Sequence, residues 1–118
     1  MITSIHSYNS DIRIALWLPP VRALYQNTQH ASFDAALRMH EFFIDNYDNR
    51  EDEKIYLCPV YLNIDPYHDY PSQTNSISSR NTDITYNYCT DGTHPATVGY
   101  YKIADVIYSL IKYFAYLD

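Results

Sequence analysis

The chain has 118 residues, a net charge of −6 at pH 7 and an isoelectric point near 5.1. This length allows one modest domain. Hydrophobic residues at 47% against charged residues at 19% indicate a globular chain rather than a disordered one. The acidic balance argues against nucleic acid as a partner. No apolar run approaches the ~20 residues of a spanning helix, so no membrane span is predicted.

The first predicted elements are the end of a helix and a buried strand. Residues 1–9 carry apolar side chains at helical spacing, as in the last turns of a helix whose beginning is missing. Ile12–Leu18 is a nearly continuous apolar run that stops at Pro19-Pro20. Such a run is typical of a parallel strand covered on both faces. We therefore expect Trp17 in the core.

A helix and a second strand follow. Residues 32–47 keep the 3.6-residue period, with Ser32 or Asp34 near the cap and His40 as a satisfied core histidine. Residues 55–62 form the second apolar run, in which Cys58 is predicted to be a buried free thiol. Strand, helix and strand in this order, over residues 12–62, predict a βαβ unit with parallel strands.

Residues 63–90 form a long polar excursion, a length that usually means a functional or mobile segment. Weak alternation at 77–80 and 83–88 is compatible with a small hairpin. The excursion contains an Asp-x-x-His group, Asp65 to His68, for which two interpretations stay open. Carboxylate and imidazole suit zinc or manganese, but no second pair of ligands accompanies them, which favours a surface loop and no metal.

The last segment, residues 91–118, begins with a turn that can carry chemistry: Asp91-Gly92-Thr93-His94-Pro95. An aspartate and a histidine three residues apart on a tight turn can meet side chain to side chain. The carboxylate then accepts the Nδ1 proton and leaves Nε2 free to deprotonate a nucleophile. The alternative is an Asp-Gly turn whose histidine only caps a helix. Thr93 is read as a turn residue rather than a nucleophile.

A C-terminal helix is predicted after Pro95, with Thr97 as its cap. Its core stripe comprises Ile103, Val106 or Ile107, Leu110, Ile111 and Phe114.

These residues resemble the C-terminal part of the SGNH/GDSL hydrolase family. Asp91-x-x-His94-Pro95, Gly99-Tyr100 and the helix over 102–107 look like the last conserved block of that family. The resemblance implies a flavodoxin-like three-layer α/β/α sandwich with mainly parallel strands, of which this chain is a part. It also implies a serine esterase that removes acetyl or acyl groups from sugars or lipids, with His94 as general base and Asp91 as its orienting partner. The substrate is then a small-molecule ester or an acylated glycan, and no cofactor is implied.

The family's nucleophile and oxyanion blocks are not found in this sequence. The only glycines are Gly92 and Gly99, both inside the last block, so a Gly-Asp-Ser block has no place here. We therefore expect a C-terminal portion that is inactive alone. The strand Ile12–Leu18 would then have lost a neighbour, which predicts self-association or complementation by a separate chain through this edge.

Four further residues are predicted to form a substrate rim: Arg22 and Tyr25 just past the first strand, and Tyr67 and His68 after the second, beside Tyr70. Ligands bind at the carboxyl ends of strands in open α/β sheets, which is where these loops fall. The alternative function is a non-catalytic carbohydrate- or protein-binding module on a hydrolase-derived scaffold, since the chain has 14 tyrosines and tyrosine-rich rims suit such partners. The first residues have neither the basic nor the apolar region of a signal peptide, and they do not assign a compartment.

Overall fold

The computed structural model of the protein describes residues 1–23 and 31–117. Its helices and strands are, in chain order, α1 (Ile2–Tyr8), β1 (Ile14–Trp17), α2 (Ala31–Tyr47), β2 (Ile55–Cys58), β3 (Ser72–Ser78), β4 (Asn81–Cys89) and α3 (Thr97–Leu117). The protein is thus of mixed α/β type. Of the helices in these two ranges, none combines the length and the apolar content needed to cross a membrane.

The predicted parallel pair of strands is confirmed. β1 pairs with β2 in parallel, with Ile14 opposite Ile55 and Trp17 opposite Cys58, and α2 lies between them in the chain. Both strands are shorter than predicted. β2 ends at Cys58 because Pro59 has no N–H to donate to a ladder; its backbone turns into a 3-10 helix over Val60–Asn63.

The prediction that both faces of β1 are covered is wrong. Residues along β1 alternate between half-buried and exposed, and Trp17 is 40% exposed. Within the described ranges β1 pairs only with β2, so its other edge has no partner strand there. Too little of the described chain packs on the faces of β1 to bury Trp17. The core lies instead around β2, together with Leu18 just after β1 and Val60 and Tyr70 in the segment after β2. Its buried apolar side chains are Leu18, Ile55, Tyr56, Cys58, Val60 and Tyr70.

Cys58 and His40 are buried as predicted. The Cys58 thiol is free, and burial raises its pKa. The ring of His40 stacks on Tyr61 and its Nε2 meets the carbonyl oxygen of Pro19. Its Nδ1, however, has no hydrogen-bond partner among the described residues, which leave only one of the two ring nitrogens satisfied.

The polar excursion contains an antiparallel hairpin that is longer than predicted. β3 and β4 pair from Ser72 opposite Cys89 to Ser78 opposite Asn81, with an irregularity between Ser76 and Ser78. Most of the hairpin side chains are exposed.

The C-terminal helix α3 packs against β2, where the ring of Phe114 meets Tyr56 at 4.6 Å between centroids. Thr97 is the first helical residue rather than the cap. Ile111 does not belong to the core stripe as predicted, because it is 57% exposed. The other members of that stripe are half-buried.

The first turns of α3 are attached to the loop before the hairpin through Asp69. This carboxylate is fully buried; its Oδ2 accepts hydrogen bonds from Nζ of Lys102 at 2.7 Å and from the Asp65 N–H at 2.6 Å. The carbonyl oxygen of Asp69 accepts the N–H of Ala96 at 2.7 Å. A Cβ on Gly99 would lie 2.5 Å from that oxygen, so the helix and the loop approach this closely only with glycine there.

Replacing Lys102 with alanine should destabilise the protein by roughly 3 kcal/mol, because a buried carboxylate would lose its cation. Urea denaturation measures the change. Lys112→Ala, at an exposed lysine of the same helix, is the matched control and should stay within about 0.5 kcal/mol of wild type. Equal effects of the two substitutions would show that the Asp69–Lys102 contact does not hold the helix.

Gly99→Ala should also destabilise, by roughly 1–3 kcal/mol, although alanine is the better helix former. The added methyl would meet backbone and the Pro95 ring rather than a flexible side chain. Thermal unfolding beside Ser109→Ala, an exposed change to alanine in the same helix, separates overpacking from propensity. A stabilised Gly99→Ala protein would mean that the loop moves away at little cost.

Candidate active site

Asp91 and His94 are in direct contact, as their spacing predicts. His94 Nδ1 lies 2.9 Å from Asp91 Oδ2, and Oδ1 of the same carboxylate accepts the backbone N–H of Thr93 at 2.8 Å and of His94 at 3.1 Å. Because the carboxylate oxygens can only accept, the ring hydrogen sits on Nδ1. The carboxylate thus holds both the turn and the orientation of the ring.

The hydrogen bonds that fix this turn also favour the ionised form of the Asp91 carboxyl. The N–H of Thr93, the His94 ring and the N–H of His94 lower the pKa of the Asp91 carboxyl to about 2. Asp91 is therefore ionised at neutral pH. The His94 side chain is 72% exposed, and within residues 1–23 and 31–117 its Nε2 has no hydrogen-bond partner. The arrangement can take a proton from a group placed at Nε2.

Two neighbouring residues of the segment after β1, Arg22 and Ala23, hold the turn. The N–H of Ala23 donates to the carbonyl oxygen of Gly92 at 2.9 Å, and Nη2 of Arg22 donates to Oγ1 of Thr93. The Thr93 hydroxyl is thereby engaged in the turn, in keeping with its predicted structural part. Arg22, predicted at the substrate rim, thus lies directly beside the Asp91–His94 pair.

The second Asp-x-x-His group has the same local geometry. His68 Nδ1 lies 2.5 Å from Asp65 Oδ2, while Asp65 Oδ1 accepts the N–H of Tyr67 at 2.8 Å. The hydrogen bonds from His68 and Tyr67 lower the pKa of Asp65. The sequence predicts a surface-loop position for His68, and its side chain is 80% exposed. The repeated Asp-x-x-His spacing is the sequence signal for its contact with Asp65.

Two of the predicted rim residues line one pocket. Tyr67 and His68 lie with Tyr70, Tyr88 and Cys89 around a pocket of about 530 Å³ between the loop before β3 and the hairpin. Asp91 and His94 are not among its lining residues; the pocket reaches their turn through Cys89 and Ala23. Tyr25 lies outside the described residues.

Asp69 and Lys102 are the residues of this region that sequence reasoning missed. They stand 33 residues apart, and a single buried pair at that separation leaves no periodic signal. No group of three or more His, Cys, Asp or Glu side chains in the described part of the chain is placed to hold a metal ion.

Comparison of the chain with models of protein families, with curated proteins and with solved structures found no match.

The Asp91 carboxylate should stabilise the fold above about pH 4 and lose that contribution as the pH falls toward 2. Its pKa in the folded protein is about 2, below the ordinary aspartate value of 3.8, so the native state resists its protonation. In urea denaturation, the free energy of unfolding of the wild type should exceed that of Asp91→Asn at pH 5. This difference should become smaller as the pH falls toward 2.

The carboxyl ¹³C resonance of Asp91 reports the protonation of this one side chain directly. Its titration midpoint should rise in His94→Ala, because one of the three hydrogen bonds to the carboxylate is gone. A midpoint near 3.8 already in the wild type would contradict the turn geometry described above.

Proposed function

We propose that Asp91 and His94 are the general-base pair of an SGNH/GDSL-type serine esterase. The observation that carries the proposal is the pairing of His94 Nδ1 with Asp91 Oδ2. Nε2 has no partner in the described parts of the chain, and the ring is exposed on a turn that leads into α3. This is the relation between histidine and aspartate in a serine-hydrolase triad. The substrate class is a carboxylic ester, carried by a small molecule or an acylated glycan.

In this mechanism Nε2 of His94 takes the proton of a serine hydroxyl as the oxygen attacks the ester carbonyl. Asp91 keeps the ring in the tautomer with hydrogen on Nδ1 and stabilises the imidazolium that forms. His94 then returns the proton to the leaving alcohol. The serine and the oxyanion-hole donors come from polypeptide outside these 118 residues, since the sequence has no Gly-Asp-Ser block. Each absent donor would remove roughly 3–4 kcal/mol of transition-state stabilisation.

The free edge of β1 is where we place the rest of that domain. A further parallel strand pairing along Ile14–Trp17 would extend the sheet. The helices that accompany such strands would cover Trp17 and make up the rest of a three-layer α/β/α sandwich. The edge predicted from the sequence, Ile12–Leu18, is slightly longer than the strand that pairs in the structure, Ile14–Trp17. The same edge is the site for self-association or for complementation by a separate chain.

A second candidate function is a non-catalytic carbohydrate- or protein-binding module. It is favoured by the pocket of about 530 Å³, in which three tyrosines and His68 lie together and none of the described lining residues is Asp, Glu, Lys or Arg. Aromatic faces with hydroxyl and imidazole groups suit a neutral polar ligand.

The esterase proposal is tested by hydrolysis of p-nitrophenyl acetate with the purified chain, alone and together with the polypeptide encoded in frame upstream. Alone, wild type and His94→Ala should give the same background rate. Together with a polypeptide that carries the serine, wild type should gain activity, and Asp91→Asn should lower that activity by about 10⁴-fold through the wrong histidine tautomer.

The matched control is His6→Ala, which removes a histidine that meets the carbonyl oxygen of Ile12 on another part of the protein and should leave the rate of the combined polypeptides within a few-fold. Upstream sequence without such a serine would refute the proposal. Activity of the isolated chain that disappears in His94→Ala would instead place a nucleophile within these 118 residues.

A further inference from the structure

The face of α3 that points away from the core carries a regular row of apolar side chains. The helix packs on β2 through Phe114, and its half-buried residues lie on that side. On the opposite side, apolar residues recur at alternating intervals of three and four, and each is exposed: Tyr101, Ala104, Tyr108, Ile111 and Ala115. We call these five residues the outer stripe. Its spacing is that of the seam between two helices in a coiled coil.

The outer stripe differs from a solvated helix face. Tyr108, near its centre, is 63% exposed, although aromatic side chains are among those most enriched in protein interfaces. An alanine stands on either side of the two large central residues, so the order of sizes is nearly the same in both directions: Ala104, Tyr108, Ile111, Ala115. Contiguous exposed apolar residues mark an interaction site. The stripe therefore fits a partner helix, and the symmetry of its sizes fits a copy of itself that runs in the opposite direction.

Two charged residues beside the outer stripe have the same symmetry. Asp105 and Lys112 are exposed and lie on one flank of the stripe, about 10 Å from each other along the helix axis. In an antiparallel helix pair, that flank of one helix meets the same flank of the other. A register with Tyr108 opposite Ile111 of a second copy matches the two stripes. It sets Asp105 opposite the second copy's Lys112, and the two-fold axis adds the reciprocal contact.

We propose that the outer stripe of α3 binds the outer stripe of a second copy of this chain, with the two helices antiparallel. The self-complementary charges identify the partner and its direction, because in a parallel pair each flank meets the opposite flank and Asp105 does not face Lys112. The contact extends over only two heptads, so the dimer is weak and reversible, with a Kd on the order of 10–100 µM. The inference concerns α3 alone and rests neither on the esterase proposal nor on the edge of β1.

Charge reversal followed by mixing tests this pairing. In Asp105→Lys alone, and in Lys112→Asp alone, both ion pairs of the dimer become like-charge pairs. Sedimentation equilibrium of the full chain at low ionic strength should then give a Kd at least about tenfold higher than that of the wild type. An equimolar mixture of the two variants has opposite charges at both contacts and should associate within about threefold of the wild type. Reversal is used because the loss of a single exposed charge changes little.

Asp83→Lys is the matched control, because it lies exposed on the hairpin and makes the same change in net charge as Asp105→Lys; it should associate like the wild type. The double variant Asp105→Lys/Lys112→Asp exchanges the charges within one chain and should restore the dimer without mixing. A wild type that stays monomeric at millimolar concentration would overturn the proposal, also if it binds neutral lipid vesicles instead. Single variants that associate as tightly as the wild type would overturn it too, by placing self-association on another surface such as β1. So would a mixture and a double variant that both stay monomeric.

Discussion

The buried carboxylate of Asp69 is the constraint on which the arrangement of the second half of the chain depends. It joins the loop after β2 to the first turns of α3 through side chain and backbone together: Oδ2 accepts from Lys102 and Asp65, and the carbonyl oxygen accepts from Ala96. A buried charge is costly unless it is paired and hydrogen-bonded. The contacts at Oδ2 offset part of this cost, whereas Oδ1 is buried without a hydrogen-bond partner among the described residues. Gly99 allows the close approach that brings them within reach.

Each Asp-x-x-His pair adjoins this junction. Asp65, which orients His68, gives its N–H to the buried carboxylate, while Asp91 and His94 lie just before Ala96, which gives its N–H to the Asp69 carbonyl. The two pairs share one local geometry, so their chemistry is decided by what surrounds them. His68 faces a tyrosine-lined pocket, whereas the turn of His94 is tied to the segment after β1. Residues 22 and 23 thus link the end of the parallel sheet to the proposed general base.

Features of the fold that a local pattern in the sequence marks could be predicted from it. The Asp91–His94 contact follows from a three-residue spacing on a turn, and the parallel strands follow from two apolar runs separated by a helical period. Burial was harder to predict. Periodicity marks which side chains share a face, but not whether another element covers that face, and for this reason Trp17 and Ile111 are more exposed than expected. The Asp69–Lys102 contact joins distant parts of the chain and has no sequence signature. The early end of β2, by contrast, has a signal in the sequence: Pro59 lacks the N–H that would continue the strand.

The exposure of Trp17 gives the protein an intrinsic optical label. It is the only tryptophan in the sequence. It lies on β1, whose second edge has no partner strand in the described ranges, and it is 40% exposed to water. The emission of an indole moves to shorter wavelength when water around it is replaced by apolar groups. A polypeptide that pairs with β1 and covers Trp17 is therefore expected to shift the tryptophan emission of the unmodified chain to shorter wavelength.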